Sequence, residues 1–137
     1  MTDRIRKAAY FSMRVPNTPG QCAKLLVRLR ENGINLLAFT GFPNGRTAQV
    51  DFIPENPAAF VRAARRMGIK SGKRKTVFLV QGNDRVGALV SIAEKFAKAR
   101  INMTAIDAVC AGKGRYAAIF WVKPKRVAKA ARLIGAR

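Results

Sequence analysis

The chain contains no histidine. That absence excludes Ser-His-Asp triads, Cys-His dyads and histidine-ligated zinc. Acids are also scarce: Asp3, Glu31, Asp51, Glu55, Asp84, Glu94 and Asp107 are all there are, scattered so that none offers an obvious pair for acid–base work. No catalytic residue, metal site or cofactor is expected, and a non-enzyme is the reading. The two cysteines, Cys22 and Cys110, lie far apart and form no CxxC pair, as is ordinary for a reduced, cytoplasmic protein. The N-terminal stretch, with Asp3, Arg4, Arg6 and Lys7 in it, lacks the apolar core of a signal peptide. The longest apolar run, Ala117 to Val122, is far too short to cross a bilayer. A cytoplasmic location is therefore expected.

What the chain has in excess is positive charge. Its 137 residues carry 27 Lys and Arg against 7 acids, a formal net charge of +20. Hydrophobic residues make up 49 %, too many for a basic disordered tail, so the chain folds in spite of its self-repulsion. The charge points to acidic partners without choosing among nucleic acid, anionic surfaces and carboxylate ligands.

The sequence also matches itself at a constant shift of 67 positions, without a gap. Phe11 falls on Phe78, Gly20 on Gly87, Ile34-Asn35 on Ile101-Asn102, Ala63-Ala64-Arg65 on Ala130-Ala131-Arg132, and Gly68 on Gly135. These identities sit at turns and helix ends, as in a repeated structural unit. The reading is two tandem units, 7–70 and 74–137, joined by a linker at 71–73.

Each unit reads alike. Tyr10 to Val15 alternates as a half-buried strand. Asn17-Thr18-Pro19-Gly20 opens a helix, with Thr18 as the cap, Pro19 in the first turn and Gln21 completing a capping-box pattern. An apolar stripe follows at Cys22, Leu25, Leu26 and Leu29, repeated as Leu89, Ile92, Ala93 and Phe96, which is core packing. Gly33 ends the helix; Ile34 to Phe42 is a strand, Asn44-Gly45 a hairpin turn, and Thr47 to Ile53 the next strand. Asn56-Pro57 opens a second helix with Phe60, Ala64 and Met67 along one stripe. Ile69 to Lys73 leaves room for a short fourth strand. The order is that of a ferredoxin-like split βαβ unit, an α+β fold with βαββαβ topology and both helices on one face of an antiparallel sheet. In the second unit only Ala136 and Arg137 follow Gly135. Its sheet therefore either has three strands or borrows a fourth, for example from the N-terminal tail.

Asn83-Asp84-Arg85-Val86-Gly87-Ala88-Leu89 resembles the D-x-x-G-x-L turn of the ACT domain family, and Asn17-Thr18-Pro19-Gly20 resembles its N-x-P-G variant. Gly33-Ile34-Asn35 and Arg100-Ile101-Asn102 are similar to the family's step into the second strand. The resemblance covers nearly the whole chain. It implies a stand-alone tandem regulatory module that binds an amino acid or similar small ligand and signals through protein contacts, with a separate regulated enzyme or other acidic protein as partner. The ligand residues it implies are Asn17, Thr18, Gly20, Asn35, Asn83, Asp84, Arg85, Gly87 and Asn102. Backbone N–H groups at a helix start favour a carboxylate, and Asp84 or Asn17 can accept from an ammonium. The alternative is that Asp84 and Asn17 only cap helices, and that Asn35 and Asn102 are only satisfied by nearby backbone.

Two further expectations concern surfaces. At the constant shift, Tyr116, Ala118, Phe120 and Val122 fall on the sheet face turned away from the helices, where the first unit has Thr47, Gln49 and Asp51. An apolar face there requires cover by another module or a homodimer partner. The second reading of function is nucleic-acid binding through the basic helices and linker, although the aromatics of the third strand fall out of register for base stacking. Gly112-Lys113-Gly114 with Ala117 leads into a strand where a dinucleotide site needs a helix, and Gly82 to Gly87 lacks the Lys-Ser/Thr of a phosphate loop.

Overall fold

A computed structural model describes residues 3–137. Six strands and four helices follow in the order β1 (Arg4–Pro16), α1 (Gln21–Glu31), β2 (Leu36–Asn44), β3 (Thr47–Pro54), α2 (Pro57–Met67), β4 (Lys75–Asn83), α3 (Val90–Lys98), β5 (Ala105–Gly112), β6 (Arg115–Trp121) and α4 (Val127–Ile134). A short 3-10 turn at Pro124–Arg126 leads into α4. The described residues form two compact units: Ala9–Lys75, and Thr76–Arg137 together with residues 3–8. Each is a βαββα-type unit with its helices on one face of an antiparallel sheet.

In the first unit the strand order is β2-β3-β1. Phe11 pairs with Phe52 and Met13 with Val50, so that alternate residues reach the helices. Phe11, Leu25, Leu29, Val50, Phe52 and Phe60 make the core. Phe60 stacks on Phe11 with ring centroids 4.8 Å apart, which is why α2 presents this residue inward. That helix starts and stops as its sequence dictates: Asn56 accepts from the Ala59 N–H at 3.1 Å, and Gly68 closes the last turn at φ 67°.

Three local expectations fail in this unit. Thr18 does not cap α1; Gly20 holds the cap position at φ 88°, and no side chain bonds to the helix start. The stripe on α1 is narrower than the pattern implied, since Leu25 and Leu29 are buried while Cys22 and Leu26 are exposed. On α3, likewise, Ile92 and Phe96 are buried and Ala93 is exposed. Residues 69–73 form no strand and touch β1 through the Gly72 N–H, which donates to the Ser12 carbonyl at 2.7 Å.

The second unit has the order β1-β4-β6-β5, with the start of β1 standing where a closing strand would be. Ile5 packs against this unit's core, and the Lys7 N–H donates to the Arg137 carbonyl at 3.0 Å. The N-terminal segment thus supplies the fourth strand that follows no element of this unit in sequence.

The face assignment of β6 is corrected by a one-residue slip. Phe11 and Phe78 are 67 apart, but their cross-strand partners Phe52 and Phe120 are 68 apart. The extra residue is Ala111, in an irregularity between Cys110 and Gly112 just before the hairpin. Because side chains alternate, one added residue moves the whole strand to the opposite face. Tyr116, Ala118, Phe120 and Val122 consequently point into their own unit's core, against Ile92, Phe96, Ala130 and Ile134. They form no outer interface, and these four residues need no covering partner.

The counterpart outer face of the first unit carries Asp51, which is only 7 % exposed. It accepts from Ser12 at 2.6 Å, Gln49 at 3.2 Å and Thr40 at 3.4 Å, so its charge is met by three donors of the sheet.

Gly82 tests the borrowed strand. A Cβ there would collide with the Asp3 carboxylate and come within 2.9 Å of Tyr116 Cε1. Gly82→Val is expected to lower stability by about 1–3 kcal/mol, the usual cost of overpacking, in a denaturant melt. A melt unchanged from the parent would show that the N-terminal segment is not held there.

Candidate functional site

The turn between β4 and α3 is fixed at both ends. The Asp84 N–H donates to the Gly114 carbonyl in the β5–β6 hairpin at 2.8 Å, and the Val90 N–H donates to the Gly87 carbonyl at 3.0 Å. Gly87 sits at φ 71°, a conformation that glycine adopts without strain. Between this turn and the edge strand β5 lies a cleft of about 350 Å³, the lower end of the size range of small-ligand sites. Asp84, Gly87, Ala88 and Leu89 line one side, Ala108, Val109 and Cys110 the other, and the Tyr116 ring closes it.

The Asp84 side chain does not cap α3, which has no side-chain cap bond. Its carboxylate instead reaches the Cys110 thiol. That hydrogen bond and the carboxylate's charge push the Cys110 pKa up, disfavouring the thiolate. Among the described residues no group of three or more His, Cys, Asp or Glu comes together to hold a metal.

Behind the cleft, Asp3 organises the wall. Its carboxylate accepts from Tyr116 Oη at 2.8 Å, from Arg85 Nη1 at 3.2 Å and from Arg85 Nη2 at 3.3 Å. Arg85 also donates to the Asn83 carbonyl at 2.9 Å and lies 6.0 Å from the Tyr116 ring centroid, while Arg115 donates to Asn83 Oδ1 at 2.7 Å. Burial alone raises the Asp3 pKa, but the Arg85 and Tyr116 hydrogen bonds and the nearby Arg85 and Arg115 charges hold it below the usual value. Burial, followed by the hydrogen bond to Asp3 and its charge, pushes the Tyr116 phenol up to about 12.

The residues expected at the site separate accordingly. Asp84 and Gly87 line the cleft; Asn83 and Arg85 brace it from behind; Asn102 is exposed and does not line it. In the first unit Asn17 Nδ2 donates to the Gly45 carbonyl at 3.3 Å, and Asn35 Nδ2 donates to Glu55 Oε2 at 2.9 Å. Both asparagines thus hold local structure, with Thr18 and Gly20 in the turn that leads from Asn17 into α1. Sequence reasoning missed Ala108, Val109, Cys110 and Asp3. The strand residues were legible as the partner of the loop across the hairpin, whereas nothing local in the sequence marks Asp3.

Asp3→Asn is expected to bring the Tyr116 ionisation down from about 12 toward the ordinary tyrosine value of about 10, read as phenolate absorbance. Asp3's folded pKa lies below its unfolded value, so its stabilisation is present above the unfolded pKa and disappears as pH falls through the folded one. The stability gap between parent and variant should therefore close below about pH 4. A Tyr116 titration identical in both proteins would show that Asp3 does not reach the ring.

No family model matches the chain, and no curated protein matches it in sequence. Solved structures do. Protein BT0572 from Bacteroides thetaiotaomicron is similar at TM-score 0.80 and 15 % identity, over 96 % of this chain and 88 % of that one. The ligand-free regulatory subunit of aspartate kinase from Thermus thermophilus is similar at TM-score 0.62 and 16 % identity, over 97 % and 94 %. The corresponding subunit from Thermus flavus gives 0.58 and 17 %, over 98 % and 94 %. At such identities the likeness shows the fold alone, two tandem βαββα-type units with helices on one face of an antiparallel sheet.

Proposed function

We propose that this protein is a non-catalytic regulatory module that binds an amino acid, or a ligand of the same zwitterionic kind, in the cleft between the β4–α3 turn and β5. The observation that carries the reading is the chemistry of that cleft. It has a carboxylate at Asp84 for an ammonium, the start of α3 at Gly87–Leu89 for a carboxylate, and a wall of Leu89, Ala108, Val109 and Tyr116 for a modest apolar side chain. The fold likeness to aspartate kinase regulatory subunits supports a regulatory role, with an enzyme as the regulated partner. The first unit is the weaker binder, because Asn17 replaces the acid and its side chain is engaged by the β2–β3 turn.

Output through protein contacts has a natural place beside the ligand. All eight residues of β5 are exposed, with Val109 at 67 %, and the strand lies at the sheet edge. A partner strand added there, from the regulated protein or a second copy of this chain, would border the cleft and sense its occupant.

A thermal-shift screen of the proteinogenic amino acids tests this. A true ligand at one hundred times its dissociation constant should stabilise by about 2.7 kcal/mol. Asp84→Ala should nearly keep the ligand-free stability, having no cap bond and only an exposed bond to the Cys110 thiol to lose, and weaken binding about tenfold or more. Gly87→Val, at φ 71° and with its Cβ 3.2 Å from Val90 Cγ2, should abolish it. No stabilisation by any amino acid, or binding indifferent to both changes, would overturn the proposal.

A further inference from the structure

Much of the charge excess sits on helices, and in the first unit the structure gathers it. The α1 helix carries Lys24, Arg28 and Arg30, and α2 carries Arg62, Arg65 and Arg66, all exposed, against the single acid Glu31. Three side-chain bonds join the ends of these helices: Arg28 Nη2 donates to the Met67 carbonyl at 2.6 Å, Arg66 Nη2 to Asn32 Oδ1 at 3.2 Å, and Asn32 Nδ2 to Met67 Sδ at 3.3 Å. The two sets of cations therefore lie on joined helices, and four more exposed basic residues follow α2 in sequence over 70–75.

The plain structural reading is that basic residues in the last turns of α1 and α2 complement the helix dipoles. Each helix end presents only about half a negative charge, so two ends leave most of these cations unbalanced. The unit's other acids do not help: Asp51 is taken by Ser12, Thr40 and Gln49, and Glu55 by Asn35. The ion pair found among the described residues, Asp3–Arg85, belongs to the second unit. The patch lacks any base-stacking platform, since Phe60, the sole aromatic of these helices, is 1 % exposed.

We infer that the joined α1–α2 face of the first unit, together with the basic segment 70–75 that follows it in sequence, is a docking surface for the phosphate backbone of a nucleic acid, bound without regard to base sequence. Guanidinium groups repeated along a helix suit a polymer of phosphates, each of which releases condensed counterions when neutralised. The face shares no residue with the Asp84 cleft, so phosphate binding here does not depend on the amino-acid reading.

Fluorescence anisotropy with labelled duplexes of unrelated sequence is the test. All duplexes should bind equally, with affinity falling by roughly a thousandfold or more between about 50 and about 200 mM salt. Replacing Arg62, Arg65 and Arg66 together by Gln should flatten the log–log salt slope by about 3, at about 0.9 for each phosphate no longer neutralised. The control Lys7→Gln/Arg46→Gln/Lys113→Gln, with the same net charge, should leave the slope intact. Arg62→Glu/Arg65→Glu keeps the Arg66–Asn32 bond and should weaken binding further, so an unfolded Gln variant would not spare the idea. Equal losses in the patch and control variants would overturn the inference by tracing binding to net charge alone. So would a strong base-sequence preference, or tighter binding to polyglutamate or phosphatidylserine vesicles than to the duplexes. Asp84→Ala should bind nucleic acid as the parent does.

Discussion

One carboxylate ties the architecture of the second unit to its cleft. Asp3 stands just ahead of the borrowed strand, beside a glycine that leaves it room, and it takes hydrogen bonds from Tyr116 and Arg85. The ring it orients closes the cleft, and the guanidinium it holds braces the β4–α3 turn. Burial is offset by these donors, so the group remains ionised where an unpaired acid would resist ionisation. The edge of β4 is thereby covered, the turn is stiffened and the cleft acquires its floor. Each depends on a residue that lies 82 positions from Arg85 in sequence.

Much of this fold was legible because it is locally determined. Asn56, Pro57 and Gly68 bound a helix by the hydrogen bonds and dihedral angles they favour, and the structure uses all three so. The repeat was legible for the same reason. Its one error came from compensation: Ala111 adds a residue before the β5–β6 hairpin, and Pro124 follows Phe120 by 4 positions where Pro57 follows Phe52 by 5, so both ends of the unit return to register. Identities at turns cannot see such a slip, yet it decides which side of β6 meets the helices.

The lining of the candidate cleft was legible to a similar degree. Asp84 and Gly87 announced themselves because a turn of that geometry needs an unusual backbone conformation and exposes its polar groups. Asn17 and Asn35 have the same look but are consumed by Gly45 and Glu55, a distinction that rests on three-dimensional neighbours. Asp3, sitting among basic residues near the terminus, carried no pattern at all. The charge itself was plain from composition; its concentration on one joined helix pair required the Arg28 and Arg66 contacts.

The 13-residue span of β1 has a consequence for how such a chain can be dissected or inherited. A cut at the linker between the repeats would leave the second fragment without the strand that completes it, because that strand stays attached to the first. The genetic boundary and the physical one are displaced by a whole strand. A duplicated copy excised at its sequence boundary would carry an exposed edge, and only a circular rearrangement moving the first residues behind the last would make it whole.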